Sequence, residues 1–251
     1  MTTTPATTFE EVESVVADVE GWMTPGQARK LWACAKSVAP DGQIVEIGSF
    51  RGRSMIVLAS AAAPGVGLVA IDPHAGNDRG PQEIEGFADE AAQDNEVFNR
   101  NLERAGVADR VRHVREFSDA ALSEVEGAVD LLYIDGAHRF GPARADIIDW
   151  GGRVRPGGEL LIHDSFSSVG VTLALVATLF GGSRFRYVGR SESMAHYRRV
   201  DLGPRARMGN ALRQAAQLPW FARNVLIKAL IVAKLGSVTR LLGHDPETWP
   251  Y

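Results

Sequence analysis

The sequence predicts an α/β protein built on a doubly wound, mostly parallel sheet. Three observations predict it. Five short apolar runs have the pattern of strands covered on both faces: Ile44-Val45-Glu46-Ile47, Gly67-Leu68-Val69-Ala70-Ile71, Val111-Arg112-His113-Val114, Val129-Asp130-Leu131-Leu132-Tyr133-Ile134 and Glu159-Leu160-Leu161-Ile162. Helical patterns over residues 54–63, 87–105, 120–125 and 142–151 separate them, so strand and helix alternate and right-handed crossovers follow. A chain of 251 residues, 45% of them hydrophobic, can bury a full core in one large domain. A last pair of runs, 185–188 and 196–200, is expected as a hairpin at one edge.

Composition narrows the function classes. The single cysteine, Cys34, lies in the helical run 27–38 and rules out a disulfide framework or a multi-thiolate metal site within one chain. The first residues, MTTTPATTFEEVESVV, have neither a basic nor an apolar region, so a secretory signal is not expected and a cytoplasmic location is. Net charge is −4, unevenly spread. Residues 184–251 hold 12 Lys/Arg against 4 Asp/Glu, leaving 15 against 27 before them. A basic tail on an acidic body is expected to pack on its own core or on a second subunit. No tract is dense enough in cations to favour nucleic acid.

The first strand runs into Glu46-Ile47-Gly48-Ser49-Phe50-Arg51-Gly52-Arg53-Ser54. Gly48 and Gly52 permit a sharp turn and close approach of the main chain, which lets a flat cofactor lie across the strand ends. Taken alone, such a turn is also an ordinary strand-to-helix connection. The second strand ends at Asp72, where a carboxylate in such folds reaches ribose hydroxyls. Ser54 and Met55 stand where a dinucleotide fingerprint would need its last glycine, so a pyrophosphate cradle and a nicotinamide enzyme are disfavoured.

From Gln43 to Ser165 the chain resembles the class I S-adenosylmethionine-dependent methyltransferases, in the group whose motifs run VEIGS-x-x-G-x-S, IDPH, YIDGAH, then RPGG before a strand ending in HD. The resemblance implies a seven-stranded Rossmann-like sheet and a donor site of Glu46, Gly48, Ser49, Phe50, Gly52, Ser54, Asp72, Ser118 and Asp135. Glu46, Gly48 and Gly52 are implied around the methionine part, Asp72 at the ribose and Ser118 near the adenine.

The fourth and fifth runs end in Asp135-Gly136-Ala137-His138 and His163-Asp164, which adjacent strands carry to one crevice. Each of these residues alone has a structural reading, as a turn cap or a packed histidine. The spacing resembles metal-dependent O-methyltransferases, of the catechol and antibiotic-sugar types. The resemblance implies Asp135, His163 and Asp164 as ligands of Mg²⁺ (or Mn²⁺) and His138 as general base. A cation suits the chemistry, because an aliphatic hydroxyl with a pKa near that of water, about 15.7, needs activation. His163 departs from the family's acidic pair, and imidazole is a poorer ligand for Mg²⁺ than carboxylate.

Residues 1–203 are therefore expected as the methyltransferase domain, and 204–251 as a helical C-terminal extension packing on the core or on a partner subunit. Thr24 and Pro25 are expected to cap and start a helix, with residues 22–27 near the donor. The polar segment 74–86 is expected to close over the acceptor or to be a plain surface loop. Residues 208–242 read as amphipathic helix, favouring a homodimer over a membrane surface, with charges that argue against a transmembrane helix. The expected activity is metal-assisted methylation of a hydroxyl on a sugar, oligosaccharide or related small molecule. An RNA methyltransferase using the basic tail and a non-catalytic adenosine-ligand binding protein are the alternatives.

Overall fold

The computed structural model describes residues 8–75 and 88–244. Most of the segment 74–86 lies outside the described residues. Five strands, β1 (Gln43–Ile47), β2 (Gly67–Ile71), β3 (Val111–Val114), β4 (Val129–Ile134) and β5 (Val154–Ile162), pair in parallel. β6 (Phe185–Ser191) and β7 (Met194–Arg199) form the expected edge hairpin, with β7 antiparallel to β5. The sheet order is β3-β2-β1-β4-β5-β7-β6. Chain direction across the sheet reverses between β1 and β4, which opens a crevice at the carboxyl ends of those two strands.

Strand alternation sends neighbouring residues to opposite faces, and both faces are covered. Ile44, Leu68, Ala70, Leu131, Tyr133 and Leu161 pack under α1 (Phe9–Val16), α2 (Pro25–Lys36), α3 (Arg53–Ala61) and the Phe98 and Leu102 side of α4 (Ala88–Arg104). Val45, Ile47, Val69, Ile71, Leu132, Ile134, Leu160 and Ile162 pack under α5 (Phe140–Arg153) and α6 (Val169–Leu175). Thr24 caps α2 as its sequence predicts, bonding the Gln27 amide while the Gln27 side chain answers the Thr24 amide at 2.9 Å.

Two local expectations are corrected. Residues 120–125 form only a 3₁₀ turn, Ala120–Ser123, because the connection is short and Gly127 already turns the chain at φ 82° toward β4. Arg155-Pro156-Gly157-Gly158 is not a separate turn but a bulge inside β5, where the register against β4 slips between Val129 and Leu131.

Beyond the hairpin come α7 (Pro204–Ala215) and α8 (Leu218–Val232). α7 is fastened through buried amides. Asn210 accepts from the Tyr187 amide at 2.7 Å and donates to the Phe185 carbonyl at 3.0 Å, and the Tyr197 hydroxyl donates to Gln214 at 3.1 Å. Among the described residues no helix is long and apolar enough to cross a membrane.

Leu131 is wholly buried at the centre of the sheet. Leu131→Ala is expected to cost about 2–5 kcal/mol of stability. Urea unfolding measures it, and a cost under about 1 kcal/mol would contradict the packing described.

Candidate active site

The crevice is a single cavity of about 1010 Å³. Its walls come from the ends of β1, β2, β4 and β5, the segment before α2, the turn after β3, α5 and, less expectedly, α8. The ladder continues past the strands and sets the key side chains in place: Gly48 N donates to Ile71 O, Asp135 N to Ile47 O and His163 N to Ile134 O, each at 2.8 Å.

Gly48 has φ 84°, and a β-carbon there would lie 2.3 Å from the Asp135 carbonyl oxygen. Only glycine lets the two loops touch. Gly52, at φ 86°, would meet Leu102 at 2.6 Å, so its glycine serves helix packing and it stands behind the wall. Asp72 fixes the loop. One carboxylate oxygen accepts from the amides of Ser49 (2.9 Å) and Phe50 (2.7 Å), the other from His74 (2.8 Å). A carboxylate offers about four acceptor positions, so roughly one is left toward the cavity.

Glu46 does not reach the cavity. It is fully buried, and neither carboxyl oxygen has a hydrogen-bond partner of good geometry. Burial pushes its pKa up to about 8, the Ser49 and Ser54 hydroxyls pull it down, and the charges of Asp135 and Asp72 add to the rise. Trp22 reaches the cavity edge and packs on Phe50 with ring centroids 5.3 Å apart. Gly48, Ser49, Phe50, Ser54, Asp72, Ser118 and Asp135 all line the cavity.

At the other end, His138, His163, Asp135 and Asp164 are brought together as two acid–base pairs. His138 Nε2 lies 2.9 Å from Asp164 Oδ2, and His163 Nδ1 lies 3.1 Å from Asp135 Oδ1 and 3.9 Å from Asp164 Oδ1. The Tyr133 hydroxyl donates to the second oxygen of Asp135 at 3.0 Å. Burial works against the charge on Asp164, but His163 and His138 hold its carboxyl well below the usual range. Burial also lowers His138, and is outweighed by the hydrogen bond and charge of Asp164, so its pKa stands above the ordinary imidazole value.

This donor set does not fit a divalent cation. His163 Nε2 faces Gln27 Oε1 at 3.3 Å, an oxygen that already accepts from Thr24, while Nδ1 faces the two carboxylates. Both ring nitrogens face oxygen atoms of the protein, and neither is turned toward open space in the cavity. Among the described residues no group of three or more His, Cys, Asp or Glu side chains is disposed to hold a metal ion. Asp135, His163 and Asp164 do converge, as acid–base contacts rather than a ligand shell.

The loop after β5 is strained. Asp164 and Phe166 have φ 52° and 58°, uncommon for residues with a β-carbon. α8 clamps it. Lys228 Nζ bonds the Ser167 carbonyl (3.1 Å) and hydroxyl (3.0 Å), and Asn224 bonds the Phe166 carbonyl at 3.4 Å. Val225 and Lys228 thereby become part of the cavity wall, as do Phe117, Asp146 and Trp150 from the β3 turn and α5. None of these five was singled out from the sequence as a site residue. Asp146 carried a signal, because it interrupts the buried stripe of Ala143, Ile147 and Trp150 on α5.

Residues 45–165 match the model of a family described as a methyltransferase domain. The fold is that of a class I methyltransferase. The chain is similar in structure to cofactor-bound Rv0187 from MTB, at 20% identity and TM-score 0.55, covering 78% of this chain and 88% of that one. It is similar also to the O-methyltransferase NovP, at 18% identity and TM-score 0.57, over 76% and 88% of the two chains. A third likeness is to an O-methyltransferase from Bacillus cereus in complex with SAH, at 18% identity and TM-score 0.51, over 78% and 90%. At these identities the likeness carries the fold, and the activity rests on the site.

The Glu46 carboxyl binds its proton more tightly folded than unfolded, its pKa rising from 4.5 to about 8. Its contribution to stability is therefore complete below about pH 4.5 and is lost as pH rises toward about 8. Melting temperature should fall across that window in the parent chain and fall less in Glu46→Gln. Parallel pH–Tm curves for the two proteins would refute a protonated Glu46.

Proposed function

We propose that this chain is an S-adenosylmethionine-dependent O-methyltransferase that methylates a hydroxyl of a sugar, oligosaccharide or related polar small molecule. One observation carries the reading: a single cavity joins a glycine cradle with Asp72 at one end to the His138–Asp164 pair at the other. Its volume, about 1010 Å³, accommodates a nucleoside-sized donor and a second molecule together. The O-methyltransferases among the similar structures support oxygen as the acceptor atom, and the sugar class rests on resemblance.

The residues present fit the donor. Gly48 keeps the cradle open, Asp72 offers its remaining acceptor position to a ribose hydroxyl, and Trp22 and Phe50 face the cavity beside it. S-adenosylmethionine supplies an electrophilic methyl carbon on a sulfonium and leaves as S-adenosylhomocysteine. The acceptor oxygen forms the new C–O bond as the S–C bond breaks, and its proton goes to His138. Asp164 holds Nε2 of that ring, leaving Nδ1 as the nitrogen that takes the proton. Asp135, held by Tyr133 and His163, contributes fixed negative charge next to the transferring group. With the acceptor so positioned, transfer depends mainly on alignment. The Mg²⁺ or Mn²⁺ implied by the family resemblance has no place in this mechanism, because His163 already fills the carboxylate-lined position.

Calorimetry with S-adenosylhomocysteine, then labelled methyl transfer to a panel of sugars and other hydroxylated compounds, tests the reading. His138→Ala should bind S-adenosylhomocysteine within about twofold of the parent while losing about 100-fold or more in kcat. Unimpaired turnover would eliminate His138 as the base. Turnover in EDTA is expected to match that with Mg²⁺ or Mn²⁺ within about twofold, and a loss on chelation that either ion restores would return a cation to the site.

A further inference from the structure

Asp146 is a carboxyl that a purely structural role does not explain. It lies on the inward face of α5, 4% exposed, yet forms part of the cavity wall. Its Oδ1 accepts a 2.5 Å hydrogen bond from the Ser118 hydroxyl, and Ser118 is itself anchored by the Trp150 indole, which donates to its carbonyl at 2.9 Å. Its Oδ2 has no hydrogen-bond partner among the described residues. A β-carbon built on Gly136 would come 3.7 Å from that oxygen, so it sits beside the turn after β4, which also lines the cavity. That oxygen is not sealed within the core, so it offers a free acceptor position to a donor entering the cavity. The cavity wall also carries Ile71, Phe117, Leu122, Pro142 and Trp150, apolar surface that suits a flat ring.

We propose that Asp146 reads the exocyclic amine of the donor's adenine, with Ser118 and Trp150 fixing the carboxylate in the orientation that recognition needs. The proposal rests on the S-adenosylmethionine reading and adds to it a residue that decides which base is accepted. Adenine presents two N–H bonds at this position. Hypoxanthine presents a carbonyl oxygen, whose lone pairs would face a carboxylate that has nothing to donate. The neighbouring acids are less suited. Asp119 and Asp149 also line the cavity, but both are exposed to solvent, and Asp119 uses Oδ1 to cap the Ala120 amide at 2.9 Å.

Burial, together with the charges of Asp119 and Asp149 and against the Ser118 hydrogen bond, raises the Asp146 pKa to about 6. The comparison therefore belongs at a pH of about 8, where the carboxyl is ionised. Calorimetry of the full chain would compare S-adenosylhomocysteine with its deaminated analogue, S-inosylhomocysteine. The parent is expected to prefer the adenosine compound by at least about tenfold, since a site built around a donor rejects an analogue lacking it. Asp146→Asn keeps an acceptor for Ser118 and brings an amide N–H₂ that can face a carbonyl, so the preference should shrink to within about threefold. Asp119→Asn should leave the preference as it was. A full preference in Asp146→Asn, or its loss in Asp119→Asn, would overturn the assignment. Absence of S-adenosylhomocysteine binding to the parent would instead overturn the donor reading beneath it. Thermal melting checks that each variant folds. If Asp146→Asn does not, Ser118→Ala releases the carboxylate from its hydrogen bond, and an undiminished preference there would equally overturn the proposal.

Discussion

The contact between the loops that leave β1 and β4 governs this molecule. At the point where the strand order reverses, Gly48 approaches the Asp135 carbonyl more closely than any residue with a side chain could. That approach fixes two things at once. It bends the first loop back so that its amides meet Asp72, and it carries Asp135 to the lip of the same crevice. Each half of the cavity is thus referenced to one backbone contact rather than to flexible side chains.

Charge is distributed in the cavity by pairing. Asp135 and Asp164 would repel each other if left alone at adjacent strand ends. His163 stands between them, with Gln27 taking its other nitrogen, and His138 occupies the outer oxygen of Asp164. Two imidazole rings thereby stand against the carboxylates where a metal ion stands in other enzymes. An imidazole N–H is a directional donor, so each ring orients the carboxylate that it faces. Glu46 solves the same problem differently. With no cation near, it is driven toward its neutral form beneath the loop.

Much of the architecture was legible in the chain because its signals are local. Strands buried on both faces show as unbroken apolar runs, and Thr24-Pro25 announces a helix start. Gly48, Asp72 and the Asp135, His138, His163 and Asp164 group could be placed together because parallel strands deliver their carboxyl ends to one side. What resisted reading depends on distant partners. The metal expectation turned on His163, whose hydrogen-bonding state is set by Gln27, 136 positions away. Lys228 meets Ser167 across 61 residues, and nothing within the amphipathic pattern of α8 marks it as facing a cavity. Glu46 and Gly52 looked like donor contacts by motif, yet the strand pleat and the packing of Leu102 put both one layer back.

The clamp from α8 has a consequence for how such a protein diversifies. The cradle and its supporting acid lie before residue 150, whereas Val225 and Lys228 on the cavity wall come from a helix far along the chain. The two halves are thus encoded in separate stretches of sequence. Substitutions along one helix can reshape one end of the cavity while the glycine cradle at the other end stays untouched. Lineages carrying this architecture can therefore vary the shape of the cavity through one late helix, one side chain at a time.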